Sequence, residues 1–143
     1  MSRDDVVRFL AERRQHWRAR NPAGLSAGHL DDGLIQSPIF GSIRGREAIE
    51  ASYRELFKVF ADWTMEEDTD VIDGLRVVQL FSAQGTHTSN LFGMQATGRR
   101  FEIHGTLVLD LKDVKGLKIE RERRFYDFTS MLLQLGLLKA KPG

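Results

Sequence analysis

The hydrophobic period changes along this chain from 3.6 to 2, and that change limits the fold more than any other feature. Before it, Val6, Leu10 and Trp17, with Arg13 or Arg14, fall on one helical face, and Ile49, Tyr53, Leu56, Phe57 and Phe60 form a broad apolar stripe. After it, Trp63, Met65, Thr69 and Val71 alternate with Thr64, Glu66, Asp68 and Asp70, the signature of a strand with one wet face. Helices therefore come first and strands follow.

Local signals place the boundaries. Ser2 caps the first helix, with Asp4 and Asp5 in its opening turn, and Asn21-Pro22 and Gly24 stop it. A short second helix is expected from Leu25 to Leu30, ended by the turn residues Asp31-Asp32-Gly33. Leu34 to Phe40 reads as a short extended piece, and Pro38 argues for an edge. Gly45 opens the third helix. Asp73-Gly74 marks a hairpin into a strand from Leu75 to about Thr88. Glycines at 85, 93 and 98 precede the next strand, Arg99 to Leu111, where Gly105 suggests a bend. A turn from Asp113 to Gly116 leads into Leu117–Phe128, and Thr129 to Leu138 closes the chain as a short helix.

This order predicts one α+β domain over residues 1–143: three helices packed in a curved antiparallel sheet, then a short C-terminal helix. A long meander with helices on one side must curl to bury its apolar face, which leaves a cavity at the wide end. The 21 basic and 20 acidic residues nearly cancel, giving no field for nucleic acid or an anionic membrane. The chain has no cysteine, which removes disulfides, thiolate metal sites and thiol nucleophiles. Its first residues are charged and helix-patterned, and no run approaches the roughly 20 apolar residues that span a bilayer. A cytoplasmic protein is expected. Four scattered histidines offer no metal-ligand spacing, and neither a phosphate-binding glycine loop nor a Gly-x-Ser-x-Gly elbow is present.

Several stretches resemble the SnoaL-like polyketide cyclase (ester cyclase) group of the nuclear transport factor 2-like superfamily. They are G-T-H-T-S-N-L-F-G at 85–93, A-T-G-R at 96–99 (with Ala96 where the group usually has proline), K-I-E-R-E-R-R-F-Y-D from Lys118, L-L-Q-L-G at 132–136, and Gly45 to Ile49 at the third helix. The resemblance implies a cone-shaped fold and a cofactor-free reaction. In the cyclases an aspartate at this strand end is the general acid/base of an intramolecular aldol closure on an aromatic polyketide ester. It also implies a pocket histidine on the preceding strand, where this chain has Leu107.

Asp127 is accordingly the first catalytic candidate. Beside Phe125 and pointing into the cone, its carboxyl would have a raised pKa and could take a proton α to a carbonyl; alternatively it caps the last helix. His87, the second, shares a face with Gln79, Phe81 and Ala83, and is either a polar helper or a histidine bonded to backbone near a glycine turn. The opposite face, with Val78 and Leu80, is equally apolar. Phe81, Phe101, Leu107 and Phe125 are the candidate walls. Trp17 and Tyr53 are either core or ligand contacts. Arg121 and Arg123 share the Asp127 face, and there Glu102, Asp110 or an anionic substrate would have to pair with them, unless they lie in water at the narrow end. His104 reads as outside the pocket, His29 as a helix-end residue beside Asp31 and Asp32, and His16 as surface.

The function expected is cofactor-free acid/base cyclisation or isomerisation of a hydrophobic carbonyl compound, in a fold expected to form a homodimer. A non-catalytic ligand carrier and a dimeric assembly module share that shape. An epoxide hydrolase would need two carboxylates bridged by an arginine.

Overall fold

The computed structural model describes residues 1–139. Its elements are α1 (Arg3–Arg18), α2 (Pro22–Ala27), β1 (His29–Ser37), β2 (Gly41–Arg44), α3 (Arg46–Val59), β3 (Thr64–Asp73), β4 (Arg76–Thr86), β5 (Arg100–Asp113), β6 (Leu117–Tyr126) and α4 (Phe128–Gln134). The fold is α+β, with three helices on the inner face of a curved six-stranded sheet ordered β2-β1-β6-β5-β4-β3, and a short fourth helix after it.

The N-terminal cap forms as expected. Ser2 and Asp5 make a reciprocal capping box, each side chain bonding the other residue's backbone N–H at 3.0–3.1 Å. The second helix lies earlier than its sequence suggests. Asn21 caps it and Pro22 starts it, so Asp31-Asp32-Gly33 falls inside β1 instead of ending a helix. The Leu34–Phe40 piece is also longer and more central than expected. It belongs to β1, which pairs antiparallel with β2 and parallel with β6, while Pro38 lies just beyond it in the turn to the true edge strand β2.

From β3 to β6 the sheet is the antiparallel meander expected. Gly105 faces inward at its centre. A Cβ there would lie 2.6 Å from the Phe125 carbonyl oxygen and 2.7 Å from the Phe81 ring, so only glycine admits both strand and ring.

Two β-bulges decide which residues line the interior. Glu67 pairs with Phe81 but Thr69 with Leu80, so Asp68 is an extra residue in β3. Asp110 pairs with Arg121 but Leu111 with Ile119, which makes Glu120 an extra residue in β6. Each bulge exchanges the inner and outer sets of its strand. Leu117 and Ile119 point inward, yet beyond the bulge the inward residues are Glu122, Arg124 and Tyr126, while Arg121, Arg123 and Phe125 point out.

The buried apolar residues form two clusters. The smaller, at the narrow end, joins Val6 and Leu10 of α1 to Val77, Leu109, Leu111, Leu117 and Ile119. The larger fills the wide end around Trp17, Tyr53, Phe60, Trp63, Phe101 and Leu91, and α4 packs onto it through Met131 and Leu135. Arg13 of α1 lies in sequence between the two sets of contacts made by its helix.

Candidate functional site

Burial divides the candidate residues sharply. Asp127 does not face a hollow. It is exposed and serves as the N-cap of α4, its Oδ1 accepting from the Ser130 N–H at 2.9 Å. Phe125 is 54% exposed on the outer face and is no wall of the interior. Arg123 is likewise outside, and its Nη2 lies 3.7 Å from Asp110, the carboxylate that also takes Arg121 and Arg76. The bulge at Glu120 is the physical reason for the two strand residues: Leu117 and Ile119 face in, and the extra residue turns Arg123 and Phe125 out, while Asp127 lies past the end of the strand.

His87 is fully buried but turned to backbone. Its Nδ1 accepts from the Thr97 N–H at 3.2 Å, and its main chain pairs with Arg99 and Gly98, fastening the 87–99 loop. Phe81, Phe101 and Leu107 do line the interior, and Trp17 and Tyr53 stand in it with ring centres 5.5 Å apart. Gln79 is inside as well, where its Nε2 donates to Glu67 at 3.1 Å and Asp70 at 3.0 Å. Arg14 bridges those same two carboxylates at 2.8 and 3.0 Å, clamping α1 to the bulged strand β3. Burial raises the Glu67 pKa against the opposing charge of Arg14.

The interior holds a charged group that the strand parity concealed. Glu122, fully buried, accepts from Arg124 Nε at 2.6 Å and forms an ion pair with Arg13 of α1. Arg13 Nη2 also donates to the Tyr53 hydroxyl at 3.0 Å, and that hydroxyl lies 3.1 Å from His29 Nε2 and 3.5 Å from Glu122. Elements far apart in sequence supply these groups: α1, β1, α3 and β6. His29 starts β1 instead of ending a helix, and Arg46 holds its carbonyl at 2.6 Å. An aromatic wall backs the two guanidiniums. The Arg13 and Arg124 carbons sit 5.8 and 5.9 Å from the Trp17 ring centre, and Arg124 lies 5.3 Å from that of Tyr53.

The electrostatics follow from this crowding. Burial alone would push the Glu122 carboxyl up, but the Arg13 and Arg124 charges overcome it and hold the pKa at about 2. His29 is driven down to about 3, first by burial and then by Arg13, so its imidazole is neutral. Burial lifts the Tyr53 phenol above its ordinary value and keeps it protonated. The group is also rich in donors. Arg13 Nε and Nη1, Arg124 Nη2 and the Trp17 indole Nε1 are buried without a protein acceptor. No group of metal-ligating side chains occurs among the described residues.

A cone of sheet wrapped on three helices, with polar side chains set inside its apolar lining, defines the nuclear transport factor 2-like class. Within that class the chain belongs to the SnoaL-like polyketide cyclase family, whose sequence model matches residues 5–135. No curated protein sequence matches it significantly. Solved structures of the same shape include TsrD from Streptomyces laurentii, at TM-score 0.81 and 20% identity, covering 96% of this chain and 99% of that one. A Jannaschia sp. CCS1 protein provisionally described as a SnoaL-like polyketide cyclase matches at TM-score 0.80 and 15% identity, over 97% and 98% of the two chains. IdmH from Streptomyces antibioticus matches at TM-score 0.73 and 24% identity, over 91% and 97%. At such identities the likeness establishes the fold.

No helix among the described residues is long and apolar enough to cross a membrane.

Proposed function

We propose that this protein is a small-molecule enzyme of the SnoaL-like type, acting by cofactor-free acid/base chemistry on a hydrophobic carbonyl compound. The carrying observation is the Arg13–Glu122–Arg124–Tyr53–His29 cluster. Removing three charged side chains from water is costly, and well-packed apolar residues of similar volume are often at least as stabilising. Stability alone does not account for such a group.

Its geometry suits an enolate. A substrate carbonyl oxygen accepts from the free N–H groups of Arg124 and Arg13, whose charge stabilises the negative oxygen formed as the α-proton leaves. Glu122 is the carboxylate in reach of that proton. Its basicity is low beside both guanidiniums, and rises as negative charge develops on the substrate oxygen that shares them. Tyr53, kept protonated, then gives a proton to the alkoxide of a ring closure or to the carbon of an isomerised product, and recovers one from the protonated Glu122 3.5 Å away.

Solvent-proton exchange tests this without a known substrate. A panel of aromatic β-keto esters is incubated with protein in deuterium oxide and followed by mass spectrometry. Enzyme-dependent exchange should fall at least a hundredfold in Glu122→Gln and Arg124→Lys, and Asp127→Asn should keep it. Exchange lost in Asp127→Asn but retained in Glu122→Gln would return the chemistry to the strand end. No exchange anywhere in the panel, with no ligand retained in native mass spectrometry, would favour a non-catalytic module.

The outer sheet face favours a homodimer. Val71, Leu80 and Phe125 are 55%, 42% and 54% exposed there, and the strand register joins them through Val78, Val108 and Thr106 into one apolar field. Glu66 and Asp68 border it on β3, Arg121 and Arg123 on β6. A twofold axis through the field sets each acidic border against the partner's basic one.

A further inference from the structure

The buried cluster does not use all of its hydrogen-bonding capacity within the protein, and the surplus is mostly of donors. Three guanidinium nitrogens and one indole nitrogen have no protein acceptor, namely Arg13 Nε and Nη1, Arg124 Nη2 and Trp17 Nε1, and His29 Nδ1 is unpartnered beside them. Both guanidiniums lie within 6 Å of the Trp17 ring centre, so these donors flank one aromatic surface. A single carboxylate, Glu122, bonds both arginines. Glu67 is the other carboxylate whose charge reaches Arg13, but it is held by Arg14 and Gln79. A neutral carbonyl would satisfy one or two of the donors. A second carboxylate has two oxygens, accepts from a guanidinium in parallel pairs, and balances the charge left by two arginines on one glutamate.

Arg13 also opens to the outside. A cleft of about 200 Å³ lies between α1, α2 and the start of β6, lined by Phe9, Glu12, Arg13, His16, Leu25 and Lys118 among others. Its charged rim is Lys118, whose Nζ is bonded to the Ala27 carbonyl at 2.8 Å, with Glu12 and His16 opposite on α1. The cleft has room for a small ring bearing a carboxylate. Arg13 is common to cleft and cluster, 4% exposed, with two unpartnered nitrogens.

We infer that the ligand of this protein is a carboxylate, bound in the α1–α2 cleft with its charged end on the unpartnered nitrogens of Arg13, in front of Arg124 and Trp17, and its ring against Phe9 and Leu25. The inference rests on the cluster being a ligand site, as proposed above, and adds that the free acid is preferred over the ester.

Benzoate and methyl benzoate are the probes, titrated into the full chain by calorimetry at fixed chloride, with the Trp17 indole and Arg13 Nε–H resonances followed by nuclear magnetic resonance. Benzoate should bind at least tenfold tighter than its ester, move both resonances, and lose at least tenfold in Arg13→Lys, which keeps the charge but not the fork. If Arg13→Lys fails to fold, the wild-type resonances decide. Equal binding of acid and ester, or shifts confined to Lys118 and His16, would overturn the inference. Benzoate binding without deuterium exchange on keto esters would sink the catalytic reading alone. Exchange on neutral esters with no acid preference would sink this inference alone.

Discussion

Glu122 sits fully buried between two guanidiniums, and its neighbours titrate accordingly. His29 faces the Tyr53 hydroxyl and Glu122, with Arg13, Arg124 and Arg46 acting on it, and its folded pKa is about 3 against an ordinary 6.5. Between those values the unfolded chain binds a proton that the folded chain refuses. Stability from His29 is therefore complete above pH 6.5 and is lost as pH falls toward 3, at up to about 1.4 kcal/mol per pH unit. Glu122, lowered from 4.5 to about 2, adds a loss of the same sign between those values. Urea melts from pH 8 to pH 4 should show stability falling, and His29→Gln should flatten the upper part of that curve. A wild-type curve flat from pH 7 to pH 5 would contradict the buried neutral imidazole. At the strand end the physics is ordinary capping. Asp127→Ala should cost about 1 kcal/mol and Asp127→Asn much less, read by thermal melting.

Two segments pack onto the larger apolar cluster, and each has a local cause. Leu91 and Met94 exchange both backbone hydrogen bonds at 2.9 Å across Phe92 and Gly93, which both have positive φ, at 50° and 79°. That is a two-residue turn of the kind favouring asparagine first and glycine second. Phe92 is 61% exposed and gains mainly an edge contact with Phe40 at 6.2 Å between ring centres. Phe92→Asn should stabilise the protein by about 0.5–1 kcal/mol, seen as a higher urea midpoint at unchanged slope; a lower midpoint would show that the ring contact outweighs the backbone. On the other side, α4 is tied to β5 by Gln134, whose amide accepts from the Glu102 N–H at 2.8 Å and donates to its carbonyl at 3.0 Å. Gln134→Ala should cost about 1–3 kcal/mol and raise amide hydrogen exchange in residues 128–135 ahead of the core strands.

For the whole molecule, the outer face is the surface to test. Leu80→Glu with Phe125→Glu puts charge into the apolar field without touching the interior, because both side chains are exposed. Light scattering should report a dimer for the native protein and a monomer for the double variant, with little change in melting temperature of the separated subunit. A native protein that is already monomeric at high concentration would refute the pairing.

The sequence by itself determined the class of fold, because helical and alternating periods are properties of contiguous residues. Seven or more residues of α1, α3, β4 or β5 report their own buried face, and Phe81, Phe101 and Leu107 were readable on that basis. The motif at 85–93 and the closing L-L-Q-L-G were legible for the same local reason, as was the alternative that Asp127 is a cap. Only the tertiary structure decided where the charged site lies. Asp68 and Glu120 are bulged because neighbouring strands must stay in register around a curved sheet, a constraint set by the partner strand and invisible in the residue itself. One extra residue turned Glu122 and Arg124 inward and Arg123 and Phe125 outward. Arg13 and His29 then met them from elements 109 and 93 residues away in the chain, which no local pattern records.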